Sequence, residues 1–140
     1  VGNVGVTGHH DPRILRHAVE KWPVDAVLMP VNPVEAVIGG FLDGVLPAAR
    51  DRGLAIIGMK VLGASHYISP RAGITPDQLI RFALSKDITT AIVGCKSPRE
   101  VQALADVGRD LQPLTDDEEK LLLELFRPQA RRMAFYRGVI

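Results

Sequence analysis

Aromatic side chains make up only 5% of this 140-residue chain, and it has a single cysteine. One thiol, Cys95, excludes an internal disulfide, so the fold rests on packing, and nothing in the cysteine count argues for secretion. Long apolar runs are missing too. None approaches the roughly 20 residues that a membrane helix needs, and the N-terminus lacks the charged-then-apolar order of a signal peptide. The default expectation is a cytoplasmic protein with no membrane partner. Nor is there an excess of one charge: 17 Lys and Arg stand against 16 Asp and Glu, a net charge of +1. That balance speaks against nucleic acid. Arg127, Arg131, Arg132 and Arg137 do gather near the end, but acidic residues precede them at 116–119, and the tail reads as a solvated helix end. The chain opens at Val1, without methionine and close to a strand, which suggests a piece of something longer or a processed product.

What is present is 46% apolar content, enough for one domain over residues 1–140. The run Val4–Thr7 leads through "GHHDP" into Ile14, Leu15, Ala18, Val19 and Trp22 at helical spacing. Asp11 and Pro12 suit N-cap and first-turn positions, since an aspartate accepts from free N–H groups and proline has none to lose. A second strand, "DAVLM" (25–29), meets "PVNP" and then "FLDGVLPAARDRG", a helix with a bend expected at Pro47 and a left-handed cap at Gly53. A third, "LAIIGMK" (54–60), enters the loop "VLGASHYISPRAGI", and Thr75 with Gln78 forms a capping box for the next helix. The fourth, "TTAIVGCKSPREV" (89–101), runs into a helix through Val101, Leu104 and Ala105, and Thr115 with Glu118 caps one more.

Nearly continuous apolar strands, each followed by a helix, point to a parallel sheet and an α/β fold. A (β/α)8 barrel needs about 250 residues, so four units over 1–110, with a C-terminal helix and tail over 111–140, make a (β/α)4 half of a TIM barrel. A four-stranded flavodoxin-like sheet fits the pattern as well, but no glycine-rich fingerprint follows the first strand.

Several residues could carry chemistry. At "GCKSPREV" a helix N-terminus offers unpaired N–H groups and about half a positive charge, with Lys96 adding a full one, which suits a phosphate. Equally, Ser97 to Glu100 is a capping box that any well-made helix could carry. Cys95 beside Lys96 could have a lowered thiol pKa, yet no histidine stands near it to act as base, and a small, partly exposed turn residue is the plainer reading. His9, His10 and Asp11 make a metal trio on paper, although adjacent histidines diverge and Asp11 is claimed as a cap. Lys60 at a strand end suits Schiff-base chemistry if desolvated. His66 and Tyr67 lie where either a flap or a plain surface loop would be.

Four segments, "VGVTGHHDP", "PVNPVE", "AIIGMKVLGAS" and "IVGCKSPREV", in that order and spacing, resemble the C-terminal half of the aldo-keto reductases. The resemblance implies strands five to eight of a (β/α)8 barrel and most of a nicotinamide cofactor site, binding NADP or NAD weakly in the absence of the other half. It implies that Thr7 lies next to the carboxamide contact, where Gly8 replaces an asparagine, and that Leu28 replaces a glutamine. Met59 would stand in for the aromatic that stacks on the nicotinamide; Lys60, Leu62 and Gly63 would follow the pyrophosphate; and Gly94, Cys95, Lys96 and Ser97 would receive the adenosine phosphate. Glu100 falls near where a basic residue would hold a 2′-phosphate, a charge that Lys96 or Arg99 could supply instead. The family's catalytic Asp, Tyr, Lys and His belong to strands two to four, so no catalytic residue is assigned. The expectation is an inactive cofactor-binding half that forms a homodimer or joins a missing N-terminal half. The alternative is a non-catalytic half-barrel that self-associates and binds a phosphate-bearing ligand or none.

Overall fold

In the computed structural model, which describes residues 1–138, four parallel strands lie side by side in chain order: β1 (Gly5–Thr7), β2 (Ala26–Pro30), β3 (Ala55–Met59) and β4 (Thr90–Ala91). Gly5 pairs with Ala26, Val27 with Ile56 and Ile57 with Thr90. This is the expected parallel α/β half-barrel, with one difference at its sides. Only β2 and β3 have two strand neighbours, and there Val27, Met29 and Ile56 are buried; β1 and β4 are open, with Val4 51% and Ile92 57% exposed. The fourth strand was expected over 89–93, but just two residues pair, because nothing holds its far side.

Local signals set the helices. Asp11 accepts from the Arg13 N–H at 2.8 Å and starts α1 (Pro12–Lys21). Thr75 and Thr115 each close a capping box, opening α4 (Pro76–Leu84) and α6 (Asp116–Phe126). Between β2 and β3 a short helix that the sequence reading did not assign precedes the one it read from Phe41 onward. Asn32 accepts from the Glu35 N–H at 3.1 Å and starts α2 (Pro33–Ile38), Gly39 and Gly40 stop it at φ +76° and +103°, a π-helical turn spans Phe41–Val45, and α3 follows (Leu46–Asp51). Pro47 follows directly on that π-helical turn, inside a helical run that is continuous over 41–51, so the irregularity falls beside the proline. Gly53 has the expected left-handed φ, +65°. The remaining helices are α5 (Pro98–Arg109) and α7 (Ala130–Met133).

Two cores result. One lies between the sheet and α1 and α3, with Leu15, Val19, Phe41 and Val45 against Val27, Met29 and Ile56. The other gathers Leu79 and Phe82 of α4, Leu122 and Phe126 of α6, Tyr67 and the tail residue Tyr136. Arg81 with Glu118 at 3.3 Å, and Lys86 with Glu119, tie α4 to α6. The C-terminal helix thus covers α2 and α4 and leaves both sheet edges bare.

Candidate nucleotide site

The strands are parallel, so all four point their C-terminal ends at the same side, the side where α/β folds collect ligands. Two features occupy it. Above β3 and β4 a cavity of about 480 Å³ opens between α4 and α5, within the size of a small-molecule site. Ile68, Ile80, Val93, Leu104 and Val107 give it apolar walls, and Lys96 and Glu100 stand among its few charged groups. Asp77 and Asp106 also line it, but Asp106 accepts from Arg109 at 2.7 Å and from Gln102 at 2.8 Å, and Asp77 lies 3.8 Å from Arg81.

Four of the nine residues expected to bind cofactor, Leu62, Gly94, Cys95 and Lys96, line this cavity. Ser97 lies just behind it as the N-cap of α5, accepting from the Glu100 N–H at 3.3 Å. The expected capping box is only half made. The Glu100 carboxylate accepts from the Lys96 N–H at 2.6 Å instead of reaching Ser97, so it occupies the position a phosphate was expected to take. The Cys95 thiol is half-buried and lies 3.9 Å from the Val93 carbonyl, as a turn residue would.

The other expected residues lie elsewhere. Thr7 is exposed and its hydroxyl donates to the Leu28 carbonyl at 3.2 Å. Met59 is half-buried at the end of β3, paired in register with Pro30. Lys60 has φ +57°, and Ala64 and Ser65 are left-handed as well, at +54° and +72°. Three non-glycine residues in that region strain the turn by roughly 1 kcal/mol each. Gly63 is held by contact: at φ +52°, an added Cβ would stand 2.5 Å from the Tyr67 ring.

The second feature escaped the sequence reading. The tail returns across the chain to the loop after β2, where Asn32 and Glu35 are fully buried. Tyr136 donates to Glu35 Oε1 at 2.7 Å and accepts from Asn32 Nδ2 at 3.0 Å; Arg137 donates to the same carboxylate at 3.2 Å and to the Gly39 carbonyl at 2.6 Å. Burial pushes the Glu35 carboxyl up, against the hydrogen bonds from Arg137 and Tyr136. Burial, then the Glu35 charge, pushes the Tyr136 phenol well above its usual range. Lys60 Nζ lies 5.9 Å from the Tyr136 ring, and His9 Nδ1 lies 3.0 Å from the Tyr136 carbonyl. Arg137, its side chain 12% exposed, is therefore an internal partner and not part of a solvated helix end, whereas Arg127, Arg131 and Arg132 are exposed as expected. Tyr67 is likewise core, not flap or surface: its hydroxyl donates to the Met133 carbonyl at 3.2 Å and its ring stacks edge-on to Phe126. His9 and Asp11 each have a structural partner, and no cluster of three metal-ligating side chains occurs among the described residues. The only hint in the sequence was Asn32 followed by Glu35, which also reads as a helix start.

No protein-family model and no curated protein matches this chain. Solved structures do. Aldo-keto reductase AKR11C1 from Bacillus halodurans, in its holo form, superposes with a TM-score of 0.58 at 14% identity over 86% of this chain and 49% of its own. Its apo form gives the same TM-score and identity over 50% of its length. The fold is that of half an aldo-keto reductase barrel. The half-barrel spans about half the length of these structures, and at such low identity architecture is what they share. The open edges follow directly: β1 and β4 are where a complete barrel would continue.

Proposed function

We propose that this chain is the C-terminal, nucleotide-binding half of an aldo-keto reductase-like oxidoreductase, taking the adenosine end of NAD or NADP in the cavity between α4 and α5. The observation that carries the reading is the gathering of Leu62, Gly94, Cys95 and Lys96 on one cavity above β3 and β4. The apolar walls suit a base, and Lys96 suits a phosphate. At the expected nicotinamide end the Tyr136 ring lies 5.9 Å from Lys60 Nζ, which favours the adenosine end as the stronger contact. Adenosine 5′-phosphate is expected to bind at millimolar concentration and nicotinamide mononucleotide more weakly, measured by calorimetry or ligand-detected NMR. Lys96→Ala should weaken binding and Cys95→Ala leave it unchanged; no binding of either fragment would reduce the α5 start to a helix cap.

A second reading concerns assembly, and the bare edges favour it. Besides Val4 and Ile92, Ile14 of α1 and Trp22 just after it are 68% and 49% exposed, and Val101 of α5 is 55% exposed. We propose that two copies pair β1 of each with β4 of the other, closing an eight-stranded two-fold barrel. A separate N-terminal half would cover the same edges and is the competing occupant.

A further inference from the structure

We infer that α6 is a pairing surface for a second copy of this chain, packed antiparallel on itself through Leu121 and Leu125. The helix is buried on one side only. Leu122 and Phe126 enter the second core, while Leu121 and Leu125, four residues apart on the outer side, are 69% and 45% exposed. Beside them lies a hollow of about 110 Å³, lined also by Leu114, Leu122, Gln78 and Glu118. Knob and hole therefore share one surface, and two copies can interlock by exchanging leucines across a two-fold axis. This surface is distinct from the open sheet edges, because α6 rests on α2 and α4, the helices that follow the inner strands β2 and β3. Strand pairing through β1 and β4 does not use it.

Charge selects the occupant and its direction. The first turn of α6 is acidic, Asp116 to Glu119, and the segment after it is basic, with Arg127, Arg131 and Arg132 exposed. Several of these charges are matched within the chain: Glu118 by Arg81 at 3.3 Å, Glu119 by Lys86, Arg127 by Glu124 at 3.0 Å, and Arg132 by Gln129 at 2.8 Å. That leaves Asp116 and Asp117 at one end of the leucine pair, and Arg131 at the other, without a side-chain partner among the described residues. Lys120, also unpaired, lies between the ends and favours neither direction. With Leu121 of each helix opposite Leu125 of the other, Asp116 and Asp117 fall beside the second copy's Arg131, whereas parallel packing would set like charges together at both ends. The apolar patch is smaller than the roughly 800 Å² per partner of a stable complex, so the pairing belongs to the weak class that forms at high concentration.

The test is sedimentation equilibrium of the purified full chain from low micromolar to about 1 mM. At the upper end the mass is expected to double over that of the species present at the lower end, whether that species is a monomer or a strand-paired dimer. Salt at about 1 M cuts the Debye length to about 3 Å and should move the doubling to several-fold higher concentration, an effect that backbone hydrogen bonds between sheet edges would not show. Leu121→Glu, at an exposed helical position, should abolish the doubling with circular dichroism unchanged. Asp117→Lys and Arg131→Glu should each weaken it several-fold, and the two changes in one chain should restore it, since each reversed charge then meets the other across the two-fold axis. No doubling in the unaltered chain, which would leave the leucines to a different protein or to solvent, overturns the inference. So does a doubling that survives Leu121→Glu, or a pair of charge reversals that do not rescue one another.

Discussion

Glu35 is fully buried yet faces a guanidinium, a phenol and a helix start at once. An ion pair taken out of water gains little net stability, but removing one partner strands the other charge. Arg137→Ala is therefore expected to cost about 3 kcal/mol in urea denaturation, and Tyr136→Phe, which removes the hydrogen bonds to Glu35 and from Asn32, about 2 kcal/mol. Replacing Glu35 and Arg137 together by apolar residues should recover most of the loss; a double variant as unstable as the single one would contradict this account. Tyr67 gives a pH dependence. Burial pushes its phenol up to about 12, so between the ordinary tyrosine pKa and 12 the unfolded chain ionises first and holds fewer protons. Its contribution is complete below that window and lost as pH rises through it, by about 3 kcal/mol in total. Melting followed upward from pH 9 should show this fall, reduced in Tyr67→Phe.

Among the elements, β2 and β3 are held on both sides while β4 and α5 are held on one. No side chain of α5 is fully buried, and β4 contributes two paired residues. Native-state stability is uneven in such cases, and segments with few buried apolar contacts open first. Backbone amides of 90–109 are expected to exchange hydrogen well before those of β2 and β3, and a nucleotide in the α4–α5 cavity should slow exchange around 93–107. Uniform protection across the four strands in a monomer would mean that the last edge is less exposed to opening than its burial implies. The helix starts were legible because each depends on neighbours in sequence: Asp11, Thr75 and Thr115 cap as read, and Ser97 caps without the return contact from Glu100. The short helix α2 was not, since its six residues are too few to show a helical period.

For the whole molecule, the question is what covers the edges. Light scattering over a concentration series should show a dimer, and a monomer persisting at high micromolar concentration without binding an exposed-surface dye would rule out the proposed pairing. Carbonyl reduction by this chain alone is not expected. The acid that protonates the developing alkoxide must give up its proton readily, while Tyr67 and Tyr136 are both buried, both bonded within the protein, and both shifted away from ionisation. Aldehyde turnover by rigorously purified chain, abolished by Tyr67→Phe, would contradict this.

The sequence by itself determined the alternation of strand and helix, the parallel sheet and the candidate phosphate turn, because apolar periodicity and capping act within a few residues of one another. Only the tertiary structure decided where the tail goes. Tyr136 and Arg137 meet Glu35 across 101 and 102 residues of chain, a pairing that no local pattern encodes, since a charged residue near a chain end looks the same whether it is solvated or buried. It also decided that Glu100 turns to the Lys96 N–H and not to Ser97. Capping-box spacing allows both, since the Lys96 and Ser97 N–H groups lie next to each other in the chain.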